Sequence, residues 1–112
     1  MRILVVEDDA DQAASVVDFY ESLGHEVEVA TNGPHALRQV AAFDPELVLI
    51  DIVLPVFDGN LVAAEIRRRH PEPPRLFAMT GRRESVLPAM FDGFLAKPLK
   101  PAELQQVVSA AA

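Results

Sequence analysis

Leu47-Val48-Leu49-Ile50-Asp51 is the stretch on which the fold turns. Four aliphatic residues in a row, with no polar alternation, read as a strand buried on both faces. That pattern belongs to a parallel sheet covered by helices on each side. The run ends in an acid, Asp51, followed by Ile52-Val53-Leu54-Pro55-Val56-Phe57-Asp58-Gly59. In an open parallel α/β sheet, ligands bind at the carboxyl ends of the strands, so Asp51 sits where chemistry is expected.

Working outward, four more short apolar runs stand out: Ile3–Val6, Val27–Ala30, Leu76–Met79 and Phe94–Ala96. Ile3–Val6 is continuous like Leu47–Ile50. Glu26 and Glu28 alternate with Val27 and Val29, which leaves one face of that strand wet. Helical segments separate the runs. Ala13, Val16, Val17, Tyr20 and Leu23 share one helical face, and Gly24 follows as a stop. Asn32-Gly33-Pro34 opens a second helix, with Pro34 suited to its first turn. Ala36, Leu37, Val40 and Ala41 face inward there, and Asp44-Pro45 ends it. A third helix runs from about Asn60 to Arg69, stopped by Pro71, Pro73 and Pro74. A last helix has Pro101 near its start, then Leu104, Val107, Val108 and Ala111 at helical spacing. Strand and helix alternate throughout, which implies a parallel sheet, helices on both faces and right-handed crossovers. A fourth helix is expected between Met79 and Phe94. That segment is short and contains Pro88, so Glu84 to Phe91 yield a turn or two at most.

Composition narrows the function classes. The 112 residues suit one domain spanning 1–112, half of them apolar and so able to form a core unaided. The absence of cysteine excludes disulfides, thiol catalysis and cysteine-held metals. A net charge of −7 would repel a phosphate backbone, so no nucleic-acid contact is expected. No apolar run approaches bilayer-spanning length, and Met1–Asp9 lacks the order of a signal peptide. These absences lead to the expectation of a soluble, cytoplasmic protein that does not engage membranes.

The strand ends converge on one edge. The first strand ends in Glu7-Asp8-Asp9, the third in Asp51, the fourth in Thr80-Gly81 and the fifth in Lys97-Pro98. Clustered carboxylates repel one another, and a divalent cation relieves the repulsion. Hard oxygen donors with no His or Cys beside them suit Mg2+. An aspartate can accept a phosphoryl group. A lysine and a hydroxyl such as those of Lys97 and Thr80 can stabilise its oxygens.

Val5-Val6-Glu7-Asp8-Asp9, Asp51 through Gly59, Met79-Thr80-Gly81 and Lys97-Pro98 together resemble the response-regulator receiver family, over essentially the whole chain and in family order. Asp51 to Gly59, with Pro55, is the most specific piece. The resemblance implies a doubly wound, flavodoxin-like (βα)5 fold with strand order 2-1-3-4-5. It implies that Asp51 is the phosphoacceptor, and that Glu7, Asp8, Asp51 and the Val53 carbonyl hold Mg2+. Thr80 would be the switch hydroxyl, Phe94 the switch aromatic and Lys97 the phosphate-binding lysine. The Lys97–Pro98 bond is expected to be cis. The implied partners are a histidine kinase or histidine phosphotransfer protein upstream. Downstream, a protein would read the face formed by the fourth helix, fifth strand and fifth helix (α4–β5–α5). No turnover of a separate substrate and no output domain are expected.

Departures from the family pattern bear on output more than on phosphorylation. Thr80 and Lys97 are closer in sequence than is usual, at the expense of the fourth helix. Phe94 has no hydroxyl. Val53 and Arg82 stand where the family tunes phosphate lifetime. The short fourth helix motivates a rival reading, a phosphorylation-independent interaction module. A flavin site would need a hydroxyl- and glycine-rich loop where Glu7-Asp8-Asp9-Ala10-Asp11 stands. An aspartate-based phosphatase with its general acid two residues past Asp51 would meet Val53 instead.

Several residues have plain structural readings. Asp9 and Asp11 favour a helix N-terminus. Asp58-Gly59 reads as a turn. Arg67, Arg68 and Arg69 end a helix, where cations offset its dipole. Phe94 could be simple core. His25, His35 and His70 are scattered and lack metal-ligand spacing.

Overall fold

The computed structural model describes residues 1–55, 58–81 and 88–111. Its elements are β1 (Arg2–Val6), α1 (Ala10–Ser22), β2 (Glu26–Ala30), α2 (Gly33–Phe43), β3 (Leu47–Asp51), α3 (Gly59–Arg69), β4 (Arg75–Thr80), β5 (Gly93–Ala96) and a C-terminal helix (Pro101–Ala111). The strands are all parallel and ordered β2-β1-β3-β4-β5. This is the parallel sheet that the alternation implied, in the strand order that the resemblance implied. Of the fourth helix, a 3-10 turn at Pro88–Met90 is described. The rest of its expected span, 84–87, lies outside the described residues, as do Arg82 and Arg83.

Side chains alternate across a strand, so β1 and β3 feed two cores at once. Ile3, Val5, Leu47 and Leu49 pack with Val16 and Tyr20 of α1 and with Leu104, Val107 and Val108 of the C-terminal helix. Leu4, Val6, Val48 and Ile50 pack with Ala36 and Val40 of α2 and with Val62, Ala63 and Ile66 of α3. All five residues of β3 are buried. The edge strand β2 exposes Glu26 and Glu28, as its alternation indicated.

Helix ends are set by local chemistry. Asn32 caps α2 by accepting from the His35 N–H at 2.8 Å. Asp44 closes it in a left-handed conformation, φ 51°. Gly24 follows α1 at φ +90°, where a side chain would be strained. Two expected core positions are exposed instead. Leu23 is the C-cap of α1 and has left the helical stripe. Ala41 falls outside the face of α2 that Ala36 and Val40 bury. Val17 and Leu37 are half-buried at the rims of their faces.

One polar bond crosses the first core: the Tyr20 hydroxyl donates to the Leu104 carbonyl at 2.9 Å, joining α1 to the C-terminal helix. Tyr20 is fully buried, and burial pushes its ionisation above the ordinary tyrosine range. Tyr20→Phe keeps the packing and removes the bond, so it should cost about 1 kcal/mol. Urea unfolding of the two proteins would check this, with a lowered midpoint and an unchanged slope expected.

Candidate functional site

The sheet order brings four carboxyl strand ends side by side. Backbone pairing continues one residue past the strands: Ile52 N–H donates to Met79 O (3.1 Å) and Lys97 N–H to Thr80 O (2.9 Å). These bonds fix where Asp51, Thr80 and Lys97 leave the sheet. On the other flank, Glu7 N–H donates to Ala30 O at 2.9 Å, so Glu7 also leaves from a held backbone. Lys97–Pro98 is a cis bond, as expected.

At the centre lies the Lys97 ammonium. Its Nζ is 2.9 Å from Glu7 Oε1, 2.9 Å from Asp51 Oδ2 and 2.8 Å from Gln12 Oε1. Glu7 and Asp51 are buried, at 2 % and 5 % exposed. Burial works against the Lys97 charge, but the bonds to Asp51 and Glu7 outweigh it and raise the lysine above its ordinary range. Glu7 is pushed up to about 7, first by burial and then by its hydrogen bond with Asp51, while Lys97 pulls the other way.

Asp8 joins the same cluster. Glu7, Asp8 and Asp51 each offer a carboxylate oxygen, and those oxygens lie within 4.8 Å of one another. Asp8 is the exposed member. Val53 is 77 % exposed at the rim, and its N–H donates to Asp51 Oδ1 at 2.9 Å. Thr80 is buried at the end of β4. Phe94 is half-buried on β5, opposite Ala78.

The Asp9 side chain is not part of the acid cluster, although its backbone N–H donates to Glu7 Oε2 at 3.3 Å. It caps α1, its Oδ1 accepting from Gln12 N–H at 3.0 Å, and Asp11 lies in the first turn. Asp58 likewise caps α3, accepting from Leu61 N–H at 3.0 Å. It does more than turn the chain. Gly59 beside it packs so closely that a Cβ would overlap the Asp51 carbonyl oxygen and lie 2.8 Å from Ile52 Cα. The three arginines end α3, in keeping with the sequence reading. Arg68 and Arg69 both pair with Glu65, at 2.6 and 2.9 Å. Arg67 bonds the Pro71 and Pro74 carbonyls and Asp92. The histidines are dispersed: His25 on the N-terminal amine, His35 in the first turn of α2, His70 at the end of α3.

Comparison with known proteins agrees with this arrangement. The response regulator receiver domain model matches residues 3–109. The transcriptional regulatory protein PrrA of Mycobacterium leprae is 36% identical over 115 residues, covering 97% of this chain and 48% of PrrA. The chain thus spans about half the length of the curated relatives it matches. The receiver domain of NtrX from Brucella abortus superposes with a TM-score of 0.89 at 31% identity, covering 97% of this chain and 96% of that one. The response regulator TrrA from Thermotoga maritima, solved in complex with Mg2+-BeF, gives 0.90 at 27% identity, covering 99% and 98%. The chain belongs to the response regulator receiver domain family.

One participant in the site, and one structural residue at the opposite edge of the sheet, were not legible in the sequence. Gln12 is a neutral residue on the first turn of a helix, and nothing in its type marks it as a neighbour of Lys97. Its spacing of three from a capping aspartate was the available signal. Asp92, just before β5, accepts from Leu76 N–H at 2.8 Å while its own N–H donates to Leu76 O at 2.7 Å.

This geometry has two measurable consequences. Gly59→Ala should destabilise the domain by about 2 kcal/mol, because backbone rather than a side-chain tip must yield. Urea unfolding measures it. The raised Glu7 carboxyl binds a proton more tightly folded than unfolded, where its ordinary value is 4.5. Without divalent cations, stability should therefore fall as pH rises from 4.5 toward 7, by at most about 1.4 kcal/mol per pH unit. Unfolding midpoints in chelator at several pH values should show that slope in wild type and a flatter one in Glu7→Gln.

Proposed function

We propose that this chain is a Mg2+-dependent phosphoacceptor switch of two-component signalling, with Asp51 as the residue phosphorylated. The observation that carries the reading is the buried Asp51 carboxylate, held 2.9 Å from Lys97 within a cluster of three acids. The donor set fits Mg2+: carboxylate oxygens within reach of one another, with no His or Cys beside them. The Mg2+-BeF complex of TrrA, a relative of like fold, supports the same choice.

Glu7, Asp8 and Asp51 would hold the ion with the Val53 carbonyl. Mg2+ supplies charge neutralisation for the phosphoryl oxygens. The remaining work falls to the chain's own groups. A carboxylate oxygen of Asp51 attacks phosphorus. The bond from phosphorus to the donor nitrogen of a phosphohistidine breaks, and its electron pair stays with the imidazole. Lys97 stabilises the transferred oxygens, and the Thr80 hydroxyl donates to one of them. Drawing Thr80 toward the phosphoryl group frees space for Phe94 to turn inward, and the face of β5 and the C-terminal helix changes for a downstream protein.

The donor is a histidine kinase or histidine phosphotransfer protein. The reaction is self-modification rather than turnover of a separate substrate, and the setting is the cytoplasm. No helix among the described residues is long and apolar enough to cross a membrane. The curated relatives are named as transcriptional regulators, but the net charge of −7 argues against assigning DNA contact to residues 1–112. The rival reading, a phosphorylation-independent module, drew its motive from the fourth helix. Half of that helix's expected span, 84–87, lies outside the described residues, and nothing elsewhere favours it.

Intact mass after incubation with acetyl phosphate tests the proposal. One phosphoryl group should add to the wild type, only with Mg2+, and none to Asp51→Asn; a modified Asp51→Asn would refute the assignment. Asp8→Ala should weaken Mg2+ binding most among the single acid variants, roughly tenfold or more. Titration calorimetry with wild-type affinity in that variant would remove Asp8 from the site.

A further inference from the structure

We infer that Gln12 is a positioning residue for Lys97, one that keeps the ammonium on station when Glu7 and Asp51 are claimed by a cation. The inference rests on the phosphoacceptor reading for its consequence, though not for its geometry. A lysine ammonium has three protons to donate, and three acceptors surround this one: Glu7 Oε1, Asp51 Oδ2 and Gln12 Oε1. Two acceptors would leave the nitrogen free to swing about the line joining them. The third closes that freedom, which matters for a flexible four-carbon stem.

Gln12 differs from the other two acceptors in kind. Glu7 and Asp51 are carboxylates of the acid cluster that fits a divalent cation; Gln12 offers an amide oxygen, a weaker draw for Mg2+ than a carboxylate. It is also neutral, so it accepts from Lys97 without adding charge to a site already rich in acids. When a cation draws the carboxylates toward itself, the uncharged amide is the acceptor it draws least.

The amide is in turn held by its helix. Asp9 Oδ1 accepts from the Gln12 N–H at 3.0 Å, and Ala13 N–H donates to Asp9 O at 3.0 Å. The cap fixes where α1 begins and therefore where residue 12 points. Gln12 and Lys97 also line a cavity of about 610 Å³ between α1 and the C-terminal helix, with Val16, Phe19, Leu99 and Leu104 on its apolar side. The first turn of α1 thereby becomes part of the apparatus that orients Lys97.

Two variants of the whole chain separate this role from simple packing. Gln12→Met keeps length and shape but lacks the amide acceptor. Gln12→Glu restores an acceptor of the same reach. Gln12 is exposed, so both should fold with wild-type urea midpoints. In 1H–15N spectra of the lysine ammonium groups, recorded without metal, the Lys97 signal should be visible in wild type. It should be lost to exchange in Gln12→Met and return in Gln12→Glu. With Mg2+ saturating, beryllofluoride affinity should fall roughly three- to tenfold in Gln12→Met, while Mg2+ affinity stays unchanged. A wild-type Lys97 signal in Gln12→Met overturns the proposal, and so does unchanged beryllofluoride affinity. If wild type binds no beryllofluoride and takes no phosphoryl group, the phosphoacceptor reading fails by itself. The ammonium spectra still decide whether Gln12 holds Lys97.

Discussion

The contact between the Lys97 ammonium and the carboxylates of Glu7 and Asp51 governs the carboxyl edge of this sheet. Two acids almost wholly removed from water would repel each other at close range, and each would be costly to bury alone. One shared cation makes the pair tolerable and ties β1, β3 and β5 together at their ends. The balance is incomplete, since Asp8 adds a further carboxylate. That residual charge is what the proposed Mg2+ would relieve. The fold keeps an acid-rich edge part-way neutralised, so that a further positive charge improves it.

Everything behind that edge serves to keep it in place. The buried residues of β3 anchor Asp51 between two cores, each finished by a different helix pair. Gly59 lets α3 start hard against the Asp51 backbone, leaving no room for that carbonyl to drift. Asp9 and Asp58 cap the helices that come after β1 and β3, so the loops carrying the site end in fixed hydrogen bonds. Acids close in sequence have thus separated into two kinds: Glu7, Asp8 and Asp51 face one another, while Asp9 and Asp58 are spent on helix N-termini.

Much of this was legible because it rests on periodicity and residue type. A four-residue aliphatic run ending in Asp51 can scarcely be other than a buried strand, and alternation around Glu26 and Glu28 marks an edge. A capping acid is marked by the helical pattern on its C-terminal side. The features that escaped were set by distances between remote segments. Leu23 and Ala41 match the apolar stripe in type, but one lies past the last helical turn and the other rotates off the buried face. Gln12 meets a lysine 85 positions away, and Gly59 meets the backbone of Asp51. Asp92 resembles any loop aspartate until β4 is placed beside it.

Asp92 has a bearing on how this domain can change shape. Its backbone and side chain both grip Leu76, and its carboxylate also meets Arg67 from the end of α3. At the opposite end of β5, the Lys97 N–H is tied to Thr80. The strand is clamped at entry and exit to the same neighbour. Sliding β5 along β4 would break both clamps together, so longitudinal slip is closed off as a mode of motion. Rotation of side chains about a stationary backbone remains, which makes β5 resemble a fixed axle carrying Phe94 rather than a piston.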